Sequence, residues 1–274
     1  MIHPTRRALD VVLAGVLVAV TSSTAWAVDG VVLIDQNRAL AGNVTPGDTP
    51  GFPITISVSG SYRLASNLTV PNENTTAIDV TTAAGSVAID LNGFTIHGPT
   101  VCDVSIPTVC SPVAGDSSNI FGSGDGIRSG ASESLTVRNG AIAGMGRYAV
   151  FSFNAPTVLI DSVQVRFSGL GGLFLGGGTV SNSLLTRNGG NAIAMNQGIV
   201  INNVITRTAG DGVVSTGFPI NLIDNQIGQS GGAGINFAAS GAYKGNLLFS
   251  NFGGNVSGSG LQTGTNACNG VPCP

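Results

Sequence analysis

Two columns of residues with different chemistry keep one spacing along this chain. The first is apolar and reads Ile78, Ile127, Val150, Leu173, Ile193, Val213, Ile235 and Val256, with steps of 20 to 23 residues after the first interval. The second holds small polar residues or glycine: Asn92, Asn139, Asp161, Asn182, Asn202, Asp224 and Gly245. A unit of about 21 residues cannot bury its apolar face alone and must stack on its neighbours. The chain from about 78 to 256 is therefore predicted to be a solenoid with one coil per repeat.

The coil that starts at Ile193 shows how each unit is built. Ile193-Ala194-Met195 and Ile199-Val200-Ile201 read as short strands on either side of an Asn-Gln-Gly turn, and Val204-Ile205 as a third strand after the corner at Asn202. The corner column accepts Asn, Asp or Gly because those residues best tolerate a left-handed backbone, and stacked Asn side chains can hydrogen-bond from coil to coil. No glycine-free segment has a 3.6-residue apolar period, which argues against helices. The fold class that follows is all-β: a single-stranded right-handed parallel β-helix of seven or eight coils, a rod about 35–40 Å long. Residues 28–70 are expected to cap its N-terminal end, residues 71–256 to form the coils, and residues 257–274 to cover the other end. The 49-residue step from Ile78 to Ile127 is too long for one coil, so an insertion is expected at about 98–125. Insertions in solenoids map to one face, often the binding face.

Arg6 and Arg7, the apolar run Val11 to Val20 and the small-residue site Ala25-Trp26-Ala27 read as a signal peptide over residues 1–27. The run is too short to cross a bilayer, which takes about 20 residues, so a secreted or periplasmic chain without a membrane span is expected. Export makes Cys102, Cys110, Cys268 and Cys273 disulfide partners rather than metal ligands. Of the three connectivities open to four cysteines, the two local pairs are the simplest. Only His97 remains beyond the leader, and no metal site or resident cofactor is expected. A net charge of −3 with a single lysine, Lys244, leaves no basic stripe for nucleic acid.

With the coils placed, the chain resembles the right-handed parallel β-helix superfamily of pectate lyases and related secreted proteins. The resemblance rests on repeats such as Val180-Ser181-Asn182-Ser183-Leu184-Leu185 and Ile199-Val200-Ile201-Asn202-Asn203-Val204-Ile205. The segments Gly60 to Val70 and Asp90-Leu91-Asn92-Gly93-Phe94-Thr95-Ile96 are similar to a bacterial secreted subgroup of it. It implies a partner among acidic or neutral polysaccharides and leaves the activity open. Family hydrolases use paired aspartates with a histidine, and the chain has no Asp-Asp pair and no His after Gly98. A lyase would take Arg128 as base with Asp79 and Asp125 as acids, and only that alternative would call for calcium.

Residues that follow the inward column point outward and stack on one face. They read Asp79, Arg128, Phe151, Phe174, Ala194, Val214 and Asn236. Phenylalanines can stack on sugar rings and Arg128 can pair a uronate carboxylate bidentately. The plainer alternative is a surface Asp79–Arg128 salt bridge with the rings covered by the insertion or by a partner chain. A secondary stripe, Arg166, Arg187 and Arg207, is spaced to align three positive charges, which either bind an anion or stay solvated. Three function classes remain: a polysaccharide or cell-envelope glycan binder, a polysaccharide lyase on acidic glycans, and a structural or adhesive surface protein.

Overall fold

The computed structural model describes residues 30–111, 122–130 and 133–273. The expected leader at 1–27 lies outside the described residues. Three parallel sheets wrap one continuous apolar core. The first sheet stacks Ile54–Ile56, Ile78–Val80, Ile127–Ser129, Tyr148–Ser152, Gly171–Leu175, Ile193–Met195 and Val213–Ser215 in register. The beginnings of Ile235–Lys244 and Val256–Gln262 complete it. The second sheet runs from Val31–Ile34 through Gly60–Leu64 and Ser86–Asp90 to the ends of those last two strands. The third runs from Leu68–Thr69 to Ala267–Cys268.

The inward column is the reason the coils stack. Ile54, Ile78, Ile127, Val150, Leu173, Ile193, Val213 and Ile235 are all 0% exposed and follow one another down the core. Burying such a side chain contributes roughly 1.5–3 kcal/mol, so the core is a sum of similar increments, one layer per coil. Ile54 begins a coil that the sequence reading assigned to the cap, and the described rod has nine coils rather than seven or eight. At about 4.8 Å per step its length is about 38 Å.

The N-terminal end is closed by side chains as well as by backbone. Asp35 caps the short helix Gln36–Ala41 by accepting from the Arg38 N–H at 2.8 Å, and Ala39 of that helix is buried against the core. Asp48 accepts from the Thr55 N–H at 2.7 Å and from the Val44 N–H at 2.9 Å. The Thr45 hydroxyl donates to the Thr55 carbonyl at 2.6 Å. These bonds satisfy the outer edge of the first strand, which a bare sheet would leave open to pairing. At the other end Val256–Gln262 belongs to the ninth coil, and the cap is only the antiparallel pair Ala267–Cys268 and Val271–Pro272. Both local disulfides are present, Cys102–Cys110 and Cys268–Cys273. Among the described residues no helix is long and apolar enough to cross a membrane.

The corner between the second and third sheets is left-handed, as expected, at Asn92, Asn139, Asn182, Asn202, Asp224 and Gly245, with φ between 51° and 70°. The third member is Ser162 and not Asp161, which pairs one position earlier with Arg138 and Ser181. In the corner column itself the Asn182 amide donates to Asp161 Oδ1 one coil earlier at 2.8 Å, and a longer run of coil-to-coil hydrogen bonds sits one residue later. Asn203, Asn225, Asn246 and Asn266 turn inward and are buried. The side-chain oxygens of Asn225, Asn246 and Asn266 each accept from the backbone N–H and the amide of the asparagine one coil before, at 2.9–3.0 Å, and that of Asn203 accepts from the Ser183 N–H at 3.0 Å. Those backbone donors face the corner interior, where no water reaches, so a side chain must meet them.

Candidate functional site

The outward column of the first sheet forms as the alternation requires. Thr55, Asp79, Arg128, Phe151, Phe174, Ala194, Val214 and Asn236 are register partners on successive coils. Phe151 and Phe174 stack with centroids 5.4 Å apart and planes inclined by 13°. Two further rings, absent from the sequence reading, extend this pair. Tyr148 lies 5.9 Å from Phe151 and 5.3 Å from Phe174, and Phe153 lies 5.4 Å from Phe174. Tyr148 and Phe151 are three residues apart, an odd step that strict alternation sends to opposite faces. Ala149 and Val150 both turn inward, so the strand skips a beat and brings the two rings to one side. The signal was the run Tyr148-Ala149-Val150-Phe151-Ser152-Phe153, where aromatic density mattered more than parity.

Beneath the rings lies an ion pair. Arg147 Nε donates to Asp125 Oδ1 at 2.9 Å, and the second guanidinium nitrogen binds Asp125 Oδ2. Asp125 also accepts from the Tyr148 N–H at 3.2 Å, and its own N–H donates to the Thr76 hydroxyl. The Arg147 guanidinium rests 4.3 Å from the Phe151 centroid, a cation–π contact that fixes the ring. Burial pushes the Asp125 carboxyl above its ordinary value, opposed by the hydrogen bond and charge of Arg147, and the same carboxylate pushes Arg147 upward. Asp125 is 0% exposed, so the acid assigned to it in the lyase reading is out of reach of a surface ligand. It positions Arg147 and the backbone of Tyr148.

Asp79 and Arg128 lie side by side, Asp79 half-buried and Arg128 exposed. Among the described residues the ion pairs are Asp90–Arg138 and Asp125–Arg147, so the surface salt bridge weighed for Asp79 and Arg128 does not form. Both line a pocket of about 260 Å³ with Phe52, Pro53 and the stretch Asn74, Thr75 and Thr76.

The described hairpin of the insertion does not lie over this face, contrary to the alternative in which the insertion covers the rings. From the end of Thr95–His97 the chain leaves at the corner that follows the third sheet, and the Cys102–Cys110 hairpin runs along that corner across later coils. The Thr108 hydroxyl donates to the Arg207 carbonyl at 2.8 Å. A Cβ on Gly231 would sit 2.7 Å from Pro107 Cβ, so the bare glycine makes room for the hairpin. The returning limb comes back to the first sheet at 122–126, where the Gly124 N–H donates to the Glu73 carbonyl at 2.9 Å.

The arginine stripe aligns only in part. Arg187 and Arg207 share the left-handed corner after the third sheet, but the matching residue one coil earlier is Phe167, while Arg166 pairs with Thr186. Arg207 Nε donates to Gln229 at 3.1 Å, whereas the buried Nε atoms of Arg166 and Arg187 have no partner among the described residues. His97 ends a strand of the third sheet, away from the rings. Among the described residues no three His, Cys, Asp or Glu side chains come together as metal ligands.

Comparison with known proteins supplies the family. A family model described as right-handed β-helix region matches residues 125–269, more than half of the chain. Among solved structures, the chain is similar to the enzymatically active domain of tailspike protein 2 of bacteriophage CBA120, at 12% identity and a TM-score of 0.50. That alignment covers 77% of this chain and 38% of the tailspike domain, so this chain spans well under half of its length. No curated protein matches. With its coils, corners and inward column in place, the chain belongs to the right-handed β-helix family.

Proposed function

We propose that this protein binds acidic polysaccharide on the outer face of its first sheet and performs no chemistry on it. The observation that carries the reading is the platform of four aromatic rings, neighbouring centroids 5.3–5.9 Å apart, beside Arg128, which has no ion pair among the described residues. Four clustered rings that face outward form an apolar patch of the kind that marks a binding surface. The stacked rings offer a sugar an apolar strip of ring edges, held rigid here by the guanidinium of Arg147. Arg128 offers a free fork of donors to a carboxylate. The reading needs no resident cofactor. Two disulfides fit a secreted or periplasmic setting, where a glycan partner is available.

The test is titration of the full chain with polygalacturonate and with a neutral glucan. Arg128→Ala and Phe174→Ala are each expected to weaken polygalacturonate binding by about tenfold, on the order of 1.4 kcal/mol. Arg187→Ala, on the other corner, is expected to change it less than twofold. Loss of binding in the Arg187 variant with a silent Arg128 variant would move the site to the arginine corner. Release of unsaturated product, read by its ultraviolet absorbance, would replace binding with lyase activity.

A further inference from the structure

A second carboxylate reaches the face of the rings at some distance from Arg128. Past Phe174 the outward column continues with Ala194, Val214 and Asn236. Asp211, two residues before the strand Val213–Ser215, lies outside that column but is tied to it. Its Oδ2 accepts from the Asn236 side-chain amide at 2.9 Å, and its Oδ1 accepts from the Ala233 N–H at 2.7 Å. The bond to Asn236 brings the carboxylate to the outer face of the first sheet, at the level of Val214. A Cβ on Gly232 would lie 2.2 Å from Asp211 Oδ1, so the bare glycine makes room for it. Asp211 stays half-buried and forms no ion pair among the described residues.

The stretch between the rings and Asp211 is low, apolar and edged with amides. Ala194 and Val214 are short and nearly buried. Asn191 and Asn196 stand half-buried at the two ends of the strand Ile193–Met195, and Asn191 Oδ1 accepts from the Asp211 N–H at 2.8 Å. Nothing on this stretch carries a positive charge to set against Asp211. Its coil is the fourth after that of Arg128, a separation of about 19 Å at the strand spacing. That exceeds the Debye length of about 8–10 Å at ordinary salt. Asp211 therefore leaves a carboxylate held by Arg128 undisturbed and acts on the part of a ligand that lies over its own coil.

We infer that Asp211 sets the charge spacing of the ligand: the face takes acidic glycans whose uronates are separated by neutral sugars and discriminates against an unbroken polyuronate. One uronate pairs with Arg128, neutral sugars cover the rings and the low stretch, and a hydroxyl of the sugar over Val214 donates to Asp211. A hydroxyl meets that carboxylate in a charge-assisted hydrogen bond, whereas a second uronate meets a like charge. Like charges a few ångströms apart at an aqueous surface lower affinity by about fivefold. An unbroken polyuronate puts a carboxylate at that level in every register, and a chain with spaced uronates can slide until a hydroxyl lies there. The inference rests on the glycan reading above and adds which acidic glycans it covers.

Two probes titrated against the full chain test this: polygalacturonate, and the same polymer with part of its carboxyls reduced to neutral galactose. The wild type is expected to bind the partly reduced polymer more tightly. Asp211→Asn is expected to raise polygalacturonate affinity by about fivefold and to erase the preference. A gain in affinity separates a charge effect from mere loosening of the coil, which would weaken both probes. Thr216→Asp, at an exposed position at the other end of the same strand, leaves the Asp211 hydrogen bonds intact and is expected to weaken polygalacturonate further while sparing the reduced polymer. Tighter binding of the unreduced polymer by the wild type overturns the inference. So does an Asp211→Asn chain that melts like the wild type without gaining affinity. If Asp211→Asn does not fold, a silent Thr216→Asp variant overturns it instead. In each of these cases a loss of binding in Arg128→Ala leaves the glycan reading standing. Absence of binding to both polymers overturns both.

Discussion

Asp125 holds the face together without lying on it. Its carboxylate receives two guanidinium nitrogens and the Tyr148 N–H, so one buried charge fixes a cation that fixes a ring. Removing one partner of a buried pair costs more than the pair contributes, because the other charge stays without compensation. Arg147 keeps 28% of its side-chain surface in solvent, which softens the penalty. Asp125→Asn is expected to lower unfolding free energy by about 2–3 kcal/mol, below the 3–5 kcal/mol of a fully buried pair. Chemical denaturation reads it directly, and an unchanged midpoint would show that the pair is dispensable.

The corners set which small changes a coil tolerates. Asn225 accepts from the Asn203 N–H and amide at 3.0 Å and donates to the Val200 carbonyl at 2.8 Å. Asn225→Leu keeps the volume and strands those groups, so a loss of about 2–4 kcal/mol is expected. Asn202→Val forces a β-branched residue to φ 56° at an exposed site, for a smaller loss of about 1–3 kcal/mol. Thermal melts should rank the two in that order, and the reverse order would place the ladder on the wrong residue. Asp161 adds a pH dependence. Hydrogen bonds from Ser181, first, and then Asn182 hold its carboxyl below the ordinary value. A lowered folded value contributes stability above the ordinary aspartate value of about 3.9 that fades as the pH falls through the folded value. The difference in melting temperature between the wild type and Asp161→Asn should therefore shrink as the pH falls below that range. A constant difference would remove the ionised form from the account.

At the scale of the whole molecule, the insertion serves two places at once. Its hairpin clamps the corner near Arg207, and its returning limb fastens the pocket wall. The double variant Cys102→Ser with Cys110→Ser should loosen the hairpin by about 2–3 kcal/mol of loop-closure free energy. Polygalacturonate binding should stay within twofold, since the hairpin does not overlie the rings. A tenfold loss of binding would mean that the hairpin and the face are coupled. The solenoid period was legible in the sequence because each coil repeats one inward apolar residue and one left-handed corner, and both are demands on single residues. The first coil escaped that reading because its corner at Ala65 to Asn67 has no left-handed residue to mark it. Asp161 drew attention away from Ser162 because either residue suits a corner, and only pairing with the next coil separates them. The sequence by itself therefore determined the class of fold and the stacking of Asp79, Arg128, Phe151 and Phe174, and made local disulfides the simplest of three pairings. Only the tertiary structure decided that Tyr148 and Phe153 join the rings, that Asp125 is buried under Arg147, and that the hairpin turns away from the face. Those outcomes depend on a skipped alternation and on the path of an insertion between coils, which no local periodicity encodes.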